Sequence, residues 1–332
     1  MNPARIAITI GDPAGIGPEI VIKSLARWDI DAQPVVVGDR WLLKKAEELC
    51  GVSLPWQEIT SGSRLSEIQT NLPLIVDPKI LSQDFSSWGK ISPEGGRASF
   101  EYLRTAVELI KQGEAQALVT APLNKEALHA AKVPFIGHTE ILKELTASQE
   151  VFTMFQTDSL RVFFFTRHLP LVEAIQKITR NGLLSFLKKM NAYLQKLGIS
   201  NPRIAVAALN PHAGEGGLLG KEELEIINPA IREAQKSGIN AQGPFPADSV
   251  FFFAWQGSHD AVLSLYHDQG HIATKCIDFF KTVSVTLGLP FIRTSPDHGT
   301  AYDIAWSGKA NPESMYEACR IAAQYAKIYR PL

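Results

Sequence analysis

Short apolar runs alternate with helical stretches along most of this 332-residue chain. Helical periodicity is clearest at 98–111, 182–196, 221–236 and 312–328. The strand-like runs lie at 6–10, 34–37, 72–76, 117–120, 151–155, 161–165, 203–208, 261–266 and 283–287. Such alternation is typical of an α/β protein with a largely parallel or mixed sheet. A chain of this length usually divides into two domains.

The charge, the apolar runs and the cysteines of the sequence argue against a nucleic-acid-binding, membrane or secreted protein. The formal net charge is −1 and no basic block is present, which argues against a nucleic-acid partner. No apolar run approaches the roughly 20 residues that a membrane-spanning helix needs. The chain begins almost at once with a strand rather than a signal-type segment, and Cys50, Cys276 and Cys319 are few and far apart. We therefore expect a cytoplasmic protein without a membrane partner.

Two glycine-rich loops follow strand-like runs, at 11–19 and 210–220. Neither has the G-x-G-x-x-G spacing of a dinucleotide-binding loop, so neither identifies a nucleotide. The first is either a tight turn with Pro18 near a helix start or a loop whose backbone approaches a ligand. Both interpretations remain open, and cofactor-binding residues stay unassigned.

Three histidines, His168, His212 and His267, follow or end separate strand-like runs. Neutral imidazole is the commonest ligand for zinc-like metals, and three such ligands leave positions open for substrate. The alternative is three unrelated histidines, because no pair has a local spacing such as H-x-x-x-H. The pattern predicts a catalytic metal site only if the three strand ends converge.

Three further segments carry polar residues suited to anion binding or proton transfer. The phrase at 137–140 opens a helix at 141–145, where His138 and Thr139 either face an anion or merely cap and solvate the helix. Arg293 begins a phrase rich in polar side chains and suits bidentate recognition of phosphate or carboxylate. Lys275 is either a solvated lysine or, with a shifted pKa, an acid/base.

Six phrases of this sequence occur in an order known from one enzyme family. They lie at 9–19 (TIGDPAGIGPE), 121–125 (APLNK), 137–140 (GHTE), 210–214 (NPHAG), 266–270 (YHDQG) and 289–295 (LPFIRTS). Together they cover nearly the whole chain and resemble the 4-hydroxythreonine-4-phosphate dehydrogenase (PdxA) family.

The resemblance implies a fold and a division into domains. The fold should be a two-domain α/β fold like that of isocitrate and isopropylmalate dehydrogenases, with the active site in the interdomain cleft. On this basis we expect a first domain of residues 1–125 plus 300–332. Residues 126–299 should form a second domain that carries the metal ligands and the dimer interface.

The resemblance also implies cofactors and residue roles. The family uses NAD or NADP and one divalent metal ion per site (Zn, Mg, Co or Mn), and it forms homodimers with shared active sites. The implied metal ligands are His168, His212 and His267, with one of them supplied by the partner subunit. The implied substrate residues are His138, Thr139, Lys275, Ser284 and Arg293, and Lys275 is also the candidate for proton transfer.

The implied reaction is the oxidation of 4-phosphohydroxy-L-threonine to a β-keto acid. That acid decarboxylates to 3-amino-2-oxopropyl phosphate, in pyridoxal 5′-phosphate biosynthesis. Three residues depart from the usual pattern: Ser284 stands where the family usually has Asn, while His271 and Trp306 resemble the sister branch that acts on phosphorylated threonate or erythronate. The alternatives are that sister activity, oxidation of an aromatic cis-dihydrodiol, or a non-catalytic paralogue that binds a phosphorylated acid.

Overall fold

The computed structural model describes residues 3–59, 64–68 and 70–329. The chain forms two compact units, one of Met1–Phe152 with Val283–Leu332 and one of Thr153–Thr282. These bounds differ from the domains expected from the sequence, because residues 126–152 and 283–299 belong to the first unit. The strands that carry the 283–299 segment pair with strands of the first unit, which accounts for the difference.

Strands and helices alternate through both units. The strands, in chain order, are β1 (Arg5–Thr9), β2 (Gln33–Val37), β3 (Gln57–Glu58), β4 (Leu74–Val76), β5 (Ala117–Thr120), β6 (Phe152–Thr157), β7 (Leu160–Phe164), β8 (Ile204–Ala207), β9 (Ala241–Phe245), β10 (Ala261–Ser264), β11 (Val283–Leu287) and β12 (Ile292–Pro296). The α-helices are α1 (Gly17–Ala26), α2 (Arg40–Cys50), α3 (Pro93–Lys111), α4 (Lys125–Ala130), α5 (His138–Thr146), α6 (Leu171–Lys177), α7 (Arg180–Lys196), α8 (Asn228–Lys236), α9 (Ala247–Trp255), α10 (His267–Ile277) and α11 (Glu313–Ala326).

In the first unit the strands lie in the order β3-β4-β2-β1-β5-β12-β11. All neighbours pair in parallel except β11, which runs antiparallel to β12. The central strands are buried on both faces; every residue of β1, for example, is buried. Continuous apolar runs of this kind are typical of parallel strands covered by helices on both sides.

In the second unit the strands lie in the order β6-β7-β10-β8-β9. The β6–β7 pair is antiparallel, and β7, β10, β8 and β9 run parallel to one another. Phenylalanines of β6 and β7 pack with Val250 and Phe251 of α9 in one core cluster. The expected α/β class with a largely parallel arrangement of strands is confirmed in both units. No helix among the described residues is long and apolar enough to cross a membrane.

Candidate active site

The three candidate metal ligands follow three neighbouring parallel strands of the second unit. His168 comes after β7, His267 after β10 and His212 after β8, and β10 pairs with both β7 and β8. The carboxyl ends of parallel strands lie at one edge of a sheet, where α/β proteins bind ligands. The topology therefore brings all three segments to the same edge.

His168 and His267 lie side by side at this edge. Their ring centroids are 5.6 Å apart, so both rings can reach a common ion at the usual metal–nitrogen distance of about 2.0–2.1 Å. The Nδ1 atom of His267 lies 2.7 Å from the Oδ1 atom of Asp268. A carboxylate on one ring nitrogen fixes the tautomer and leaves the other nitrogen for a metal. The donor chemistry of this pair therefore fits two ligands of one divalent ion.

His212 does not join that pair within one chain. Among the described residues, no three His, Cys, Asp or Glu side chains form a group able to hold a metal ion. His212 is exposed and begins a segment in which His212, Ala213 and Glu215, together with three glycines, have positive φ angles. The left-handed conformation costs a non-glycine residue about 1–2 kcal/mol, so this turn persists only because other contacts hold it.

His271 packs against the histidine pair from within α10. Its ring stacks on Phe164, with centroids 4.5 Å apart, and lies 4.1 Å from the ring of His267. Burial, followed by the positive charges of His267 and Lys275, lowers the pKa of His271 to about 4. His271 is therefore uncharged at neutral pH and packs against His267. Its buried Nδ1 atom has no hydrogen-bond partner among the described residues.

Arg293 is a buried cation that forms no ion pair with any residue that the structure describes. It lies inside β12, which was not among the predicted strands, and is only 5% exposed. Its Nε and Nη2 atoms donate to the hydroxyl of Thr120, at 3.0 and 2.5 Å, and its Nη1 atom donates to Thr286. These partners are neutral, and burial lowers the pKa of Arg293 to about 9. A buried guanidinium held only by hydroxyls is a ready partner for an anion.

Two further predicted substrate residues lie near Arg293. Thr286 pairs with Arg293 and Ser284 pairs with Ser295 across the same two strands, so Ser284 lies on the Arg293 face of the sheet. Burial lowers the pKa of His138 well below its usual value, and the positive charge of Arg293 lowers it further. The first unit thus brings Arg293, Ser284 and a neutral His138 into one polar region.

Thr139 and Lys275 are placed less tightly. Thr139 follows His138 in the first turn of α5, which begins at His138, three residues before the helix predicted at 141–145. Lys275 belongs to the second unit, in the last turn of α10, with its Nζ atom 5.3 Å from the ring centroid of Phe279. Lys275 follows His271 by four residues and therefore lies on the same side of α10, and its positive charge contributes to the lowered pKa of His271.

The first glycine-rich loop is shaped by packing. A Cβ atom on Gly11 would lie 2.2 Å from the carbonyl oxygen of Pro122, and one on Gly17 would lie 2.0 Å from that of Ile10. Asp12 is fully buried, with its Oδ1 accepting from the backbone of Ala14 and its Oδ2 from the hydroxyl of Tyr302. Of the two interpretations, the tight turn accounts for these glycines.

Sequence reasoning missed the residues that support the site. Thr120 and Thr286 looked like ordinary strand residues, Asp268 was one letter of a motif, and Glu223 lay inside a helical stretch. The signal for Asp268 was its place beside a candidate ligand. The signal for Glu223 was a carboxylate on the side of the predicted helical stretch that packs inward. The structure buries it, with 1% of the residue exposed.

Two cavities of the first unit lie apart from these residues. One of about 580 Å³ is lined by the segment at 80–87, the start of α3 and the end of α4. Another of about 630 Å³ lies beyond the carboxyl ends of β2 and β4, beside Asp39 and Asp77. None of the predicted site residues lines either cavity.

Known proteins resemble this chain over nearly its whole length. Residues 31–322 match the family described as pyridoxal phosphate biosynthetic protein PdxA. A protein of Symbiobacterium thermophilum, named provisionally as a D-threonate 4-phosphate dehydrogenase, is 48% identical over 327 residues. That alignment covers 98% of this chain and 97% of the relative.

Solved structures share the fold. A 4-hydroxythreonine-4-phosphate dehydrogenase from Klebsiella pneumoniae is 39% identical, with a TM-score of 0.88 and 98% of each chain covered. A terephthalate 1,2-cis-dihydrodiol dehydrogenase from Burkholderia xenovorans is 25% identical, with a TM-score of 0.65, 97% of this chain covered and 98% of the other. The chain is thus much less similar to the dihydrodiol enzyme.

Proposed function

This chain belongs to the PdxA family, and we propose that it is a metal-assisted dehydrogenase of a phosphorylated four-carbon hydroxy acid. The oxidised carbon bears a hydroxyl, which loses its proton while a nicotinamide cofactor, NAD or NADP, accepts the hydride. The product is a β-keto acid, which loses CO₂ to give a three-carbon phosphorylated ketone.

Arg293 is the observation that carries this proposal. The guanidinium is buried, has a pKa of about 9 and donates to the hydroxyls of Thr120 and Thr286, so a bound anion would supply the negative charge that these neutral partners do not. The phosphate or carboxylate of a phosphorylated acid supplies that charge, in the bidentate geometry that arginine favours. Neutral His138 and the hydroxyl of Ser284 add hydrogen bonds without adding a competing charge.

His168 and His267 are the proposed ligands of the divalent ion from one chain, oriented in part by Asp268. When bound, such an ion lowers the pKa of the substrate hydroxyl and stabilises the oxyanion that forms from it. His212 is the proposed third ligand, contributed by the second copy in a homodimer. Lys275 is the proposed proton-transfer residue.

A homodimer through the second unit is supported by its surface. Among the described residues, most of the exposed large apolar side chains belong to this unit, and an apolar surface is typical of interaction sites. They are Leu169, Leu171, Val172, Ile175, Leu218, Leu219, Leu224, Phe252, Phe253, Ile272, Phe279 and Phe280. The segments carrying His168 and His212 contribute several of them, so an interface here would lie beside the candidate ligands.

The proposed substrate is D-threonate 4-phosphate, with 4-phosphohydroxy-L-threonine as the second candidate. The sequence alone favoured the second through family resemblance. The relative with 48% identity is named for the first compound, whereas the Klebsiella enzyme at 39% is named for the second. Ser284 also supports the amine-free acid, because a hydroxyl cannot reproduce the donor and acceptor pattern of the usual Asn amide.

A substrate panel tests the proposal. D-threonate 4-phosphate, D-erythronate 4-phosphate, 4-phosphohydroxy-L-threonine and unphosphorylated D-threonate are each incubated with NAD or NADP and a divalent metal. We expect reduced cofactor and CO₂ in equal amounts, with the highest kcat/KM for D-threonate 4-phosphate and little activity without phosphate. A clear preference for 4-phosphohydroxy-L-threonine would assign the biosynthetic reaction instead. Binding without cofactor reduction for every acid would identify a non-catalytic phospho-acid-binding protein.

A further inference from the structure

The left-handed turn that begins at His212 is held from one side by a single buried carboxylate. Glu223 is 1% exposed and lies at the start of a π-helix, Glu223–Ile227, which leads directly into α8. Its Oε1 atom accepts the backbone N–H groups of Leu209 and Asn210, at 2.9 and 2.7 Å. Its Oε2 atom accepts from the side-chain Nδ2 of Asn210 at 2.8 Å.

These bonds act at the point where the chain leaves β8 and enters the turn. The backbone between β8 and His212 is Ala208 to Pro211, and the carboxylate fixes two of its N–H groups. The far side of the turn also touches Glu223: a Cβ atom on Gly214 would lie 2.8 Å from Oε2. The turn therefore wraps closely around one anionic group, and short segments of π-helix often occur at functional sites.

We propose that Glu223 is a positioning residue that sets the location of the His212 imidazole. This inference rests on the proposed metal site for its purpose. Left to itself, the segment would favour right-handed or extended backbone, because His212, Ala213 and Glu215 gain nothing locally from positive φ angles. The charge-assisted bonds to Glu223 offset that preference and hold His212 at the edge of the sheet.

The variant Glu223→Gln tests this, with Glu225→Gln as its matched control. Glutamine keeps the size of the side chain, but it loses the charge and cannot accept at both ends. Glu225 lies in the same π-helix and is exposed, so the same substitution there removes an equal charge without touching the turn. Glu223→Asp is the second variant if Glu223→Gln does not fold, because it keeps the charge but moves the carboxylate away from the N–H groups of Leu209 and Asn210.

The first readout needs no metal. In metal-free protein labelled with ¹³C at histidine Cε1, the His212 signal is assigned by its loss in His212→Ala. We expect this signal to shift or broaden in Glu223→Gln while the other histidine signals and those of Glu225→Gln stay unchanged. An unchanged His212 signal in folded Glu223→Gln, or in Glu223→Asp if that variant must serve, overturns the proposal.

The second readout is the affinity of the folded full-length protein for Co²⁺, measured by calorimetry well below the unfolding temperature. Loss of a residue that orients a ligand typically weakens metal binding by about 10- to 100-fold. We expect a weakening of that size in Glu223→Gln and less than about twofold in Glu225→Gln. A lower unfolding temperature with unchanged affinity would mean a structural role only and overturn the proposal. Wild-type protein that binds no Co²⁺ would reject the proposed metal site, while the histidine signals still decide the role of Glu223.

Discussion

At the scale of single residues, Arg293 is the proposed anion-binding residue, and its burial lowers the stability of the ligand-free protein. Removing a guanidinium from water without an opposite charge destabilises the ligand-free protein, and the lowered pKa of Arg293 expresses this. Residues that bind charged ligands often stand in such unfavourable surroundings until the ligand arrives. The sequence predicted Arg293 as a residue for anion recognition. Its partners Thr120 and Thr286 were not predictable, because the order of the strands brings them together and no local sequence pattern specifies that order.

The variant Arg293→Gln should separate these two effects. Losing a buried charged hydrogen-bond partner typically costs about 2–5 kcal/mol, so we expect kcat/KM to fall by at least about 30-fold. The free energy of unfolding without ligand should stay the same or rise, because an unpaired buried charge is removed. Steady-state kinetics and urea unfolding measure the two quantities. Arg97→Gln, at an exposed position, should change neither, and a similar loss there would contradict the role of Arg293.

His138 should make the stability of the protein fall on acidification. Its folded pKa lies well below the usual 6.5, so the unfolded chain takes up a proton as the pH falls through 6.5 while the folded chain does not. Stability is therefore present above pH 6.5 and lost below it. Because His138 is partly exposed, we expect a loss of only about 0.5–1 kcal/mol between pH 7 and 5.5.

Urea unfolding of metal-free protein at several pH values measures this effect. His138→Gln should lose less stability on acidification than the wild type, whereas His129→Gln, at an exposed position, should follow the wild-type curve. Equal curves for all three proteins would show that His138 does not contribute to the pH dependence.

At the scale of secondary-structure elements, apolar strands were predictable and polar ones were not. All nine strand-like runs overlap strands of the structure, because continuous buried apolar residues suit parallel sheets. β3, β9 and β12 were missed, because each contains polar residues and forms where a neighbouring strand pairs with it, and β9 and β12 also contain proline. The turn at His212 was unpredictable for another reason: its backbone conformation opposes local preference and depends on the distant carboxylate of Glu223.

A different positive φ angle gives a prediction about stability. Ala147 ends α5 in the left-handed conformation, with φ of 52°, and its N–H bonds to the carbonyls of Lys143 and Glu144. Glycine adopts this conformation without steric cost, so Ala147→Gly should raise the free energy of unfolding by about 0.5–1 kcal/mol. The matched control Ala130→Gly, in the last residue of α4, should lower it by a similar amount. Urea unfolding measures both, and a loss in Ala147→Gly would contradict the reasoning.

At the scale of the whole molecule, the candidate metal site is incomplete in one chain. His168 and His267 approach each other in a single chain, while the described residues give them no third ligand. The distribution of ligands between subunits therefore decides which inactive variants can complement each other. The sequence predicted that three histidines follow strands, but it could not predict which two lie close together within one chain.

Mixing inactive His212→Ala and His267→Ala proteins should restore activity. If His212 comes from the partner, half of the sites in a mixed dimer contain all three ligands, so random exchange of subunits gives about a quarter of wild-type activity. The control mixture of His168→Ala and His267→Ala should stay inactive, because these ligands belong to the same chain. Cofactor reduction after subunit exchange measures both, and activity in only the control mixture would reverse the assignment.

The interruption of the first unit has a consequence during synthesis on the ribosome. β5 pairs with β12, which is made only after the whole of Thr153–Thr282 has been translated. At about 5–20 residues per second, the β12 side of β5 remains an open strand edge for roughly 10–35 seconds. The second unit is continuous in sequence and can fold in that interval. The nascent chain is therefore most exposed to aggregation, and to capture by chaperones, through its earliest strands.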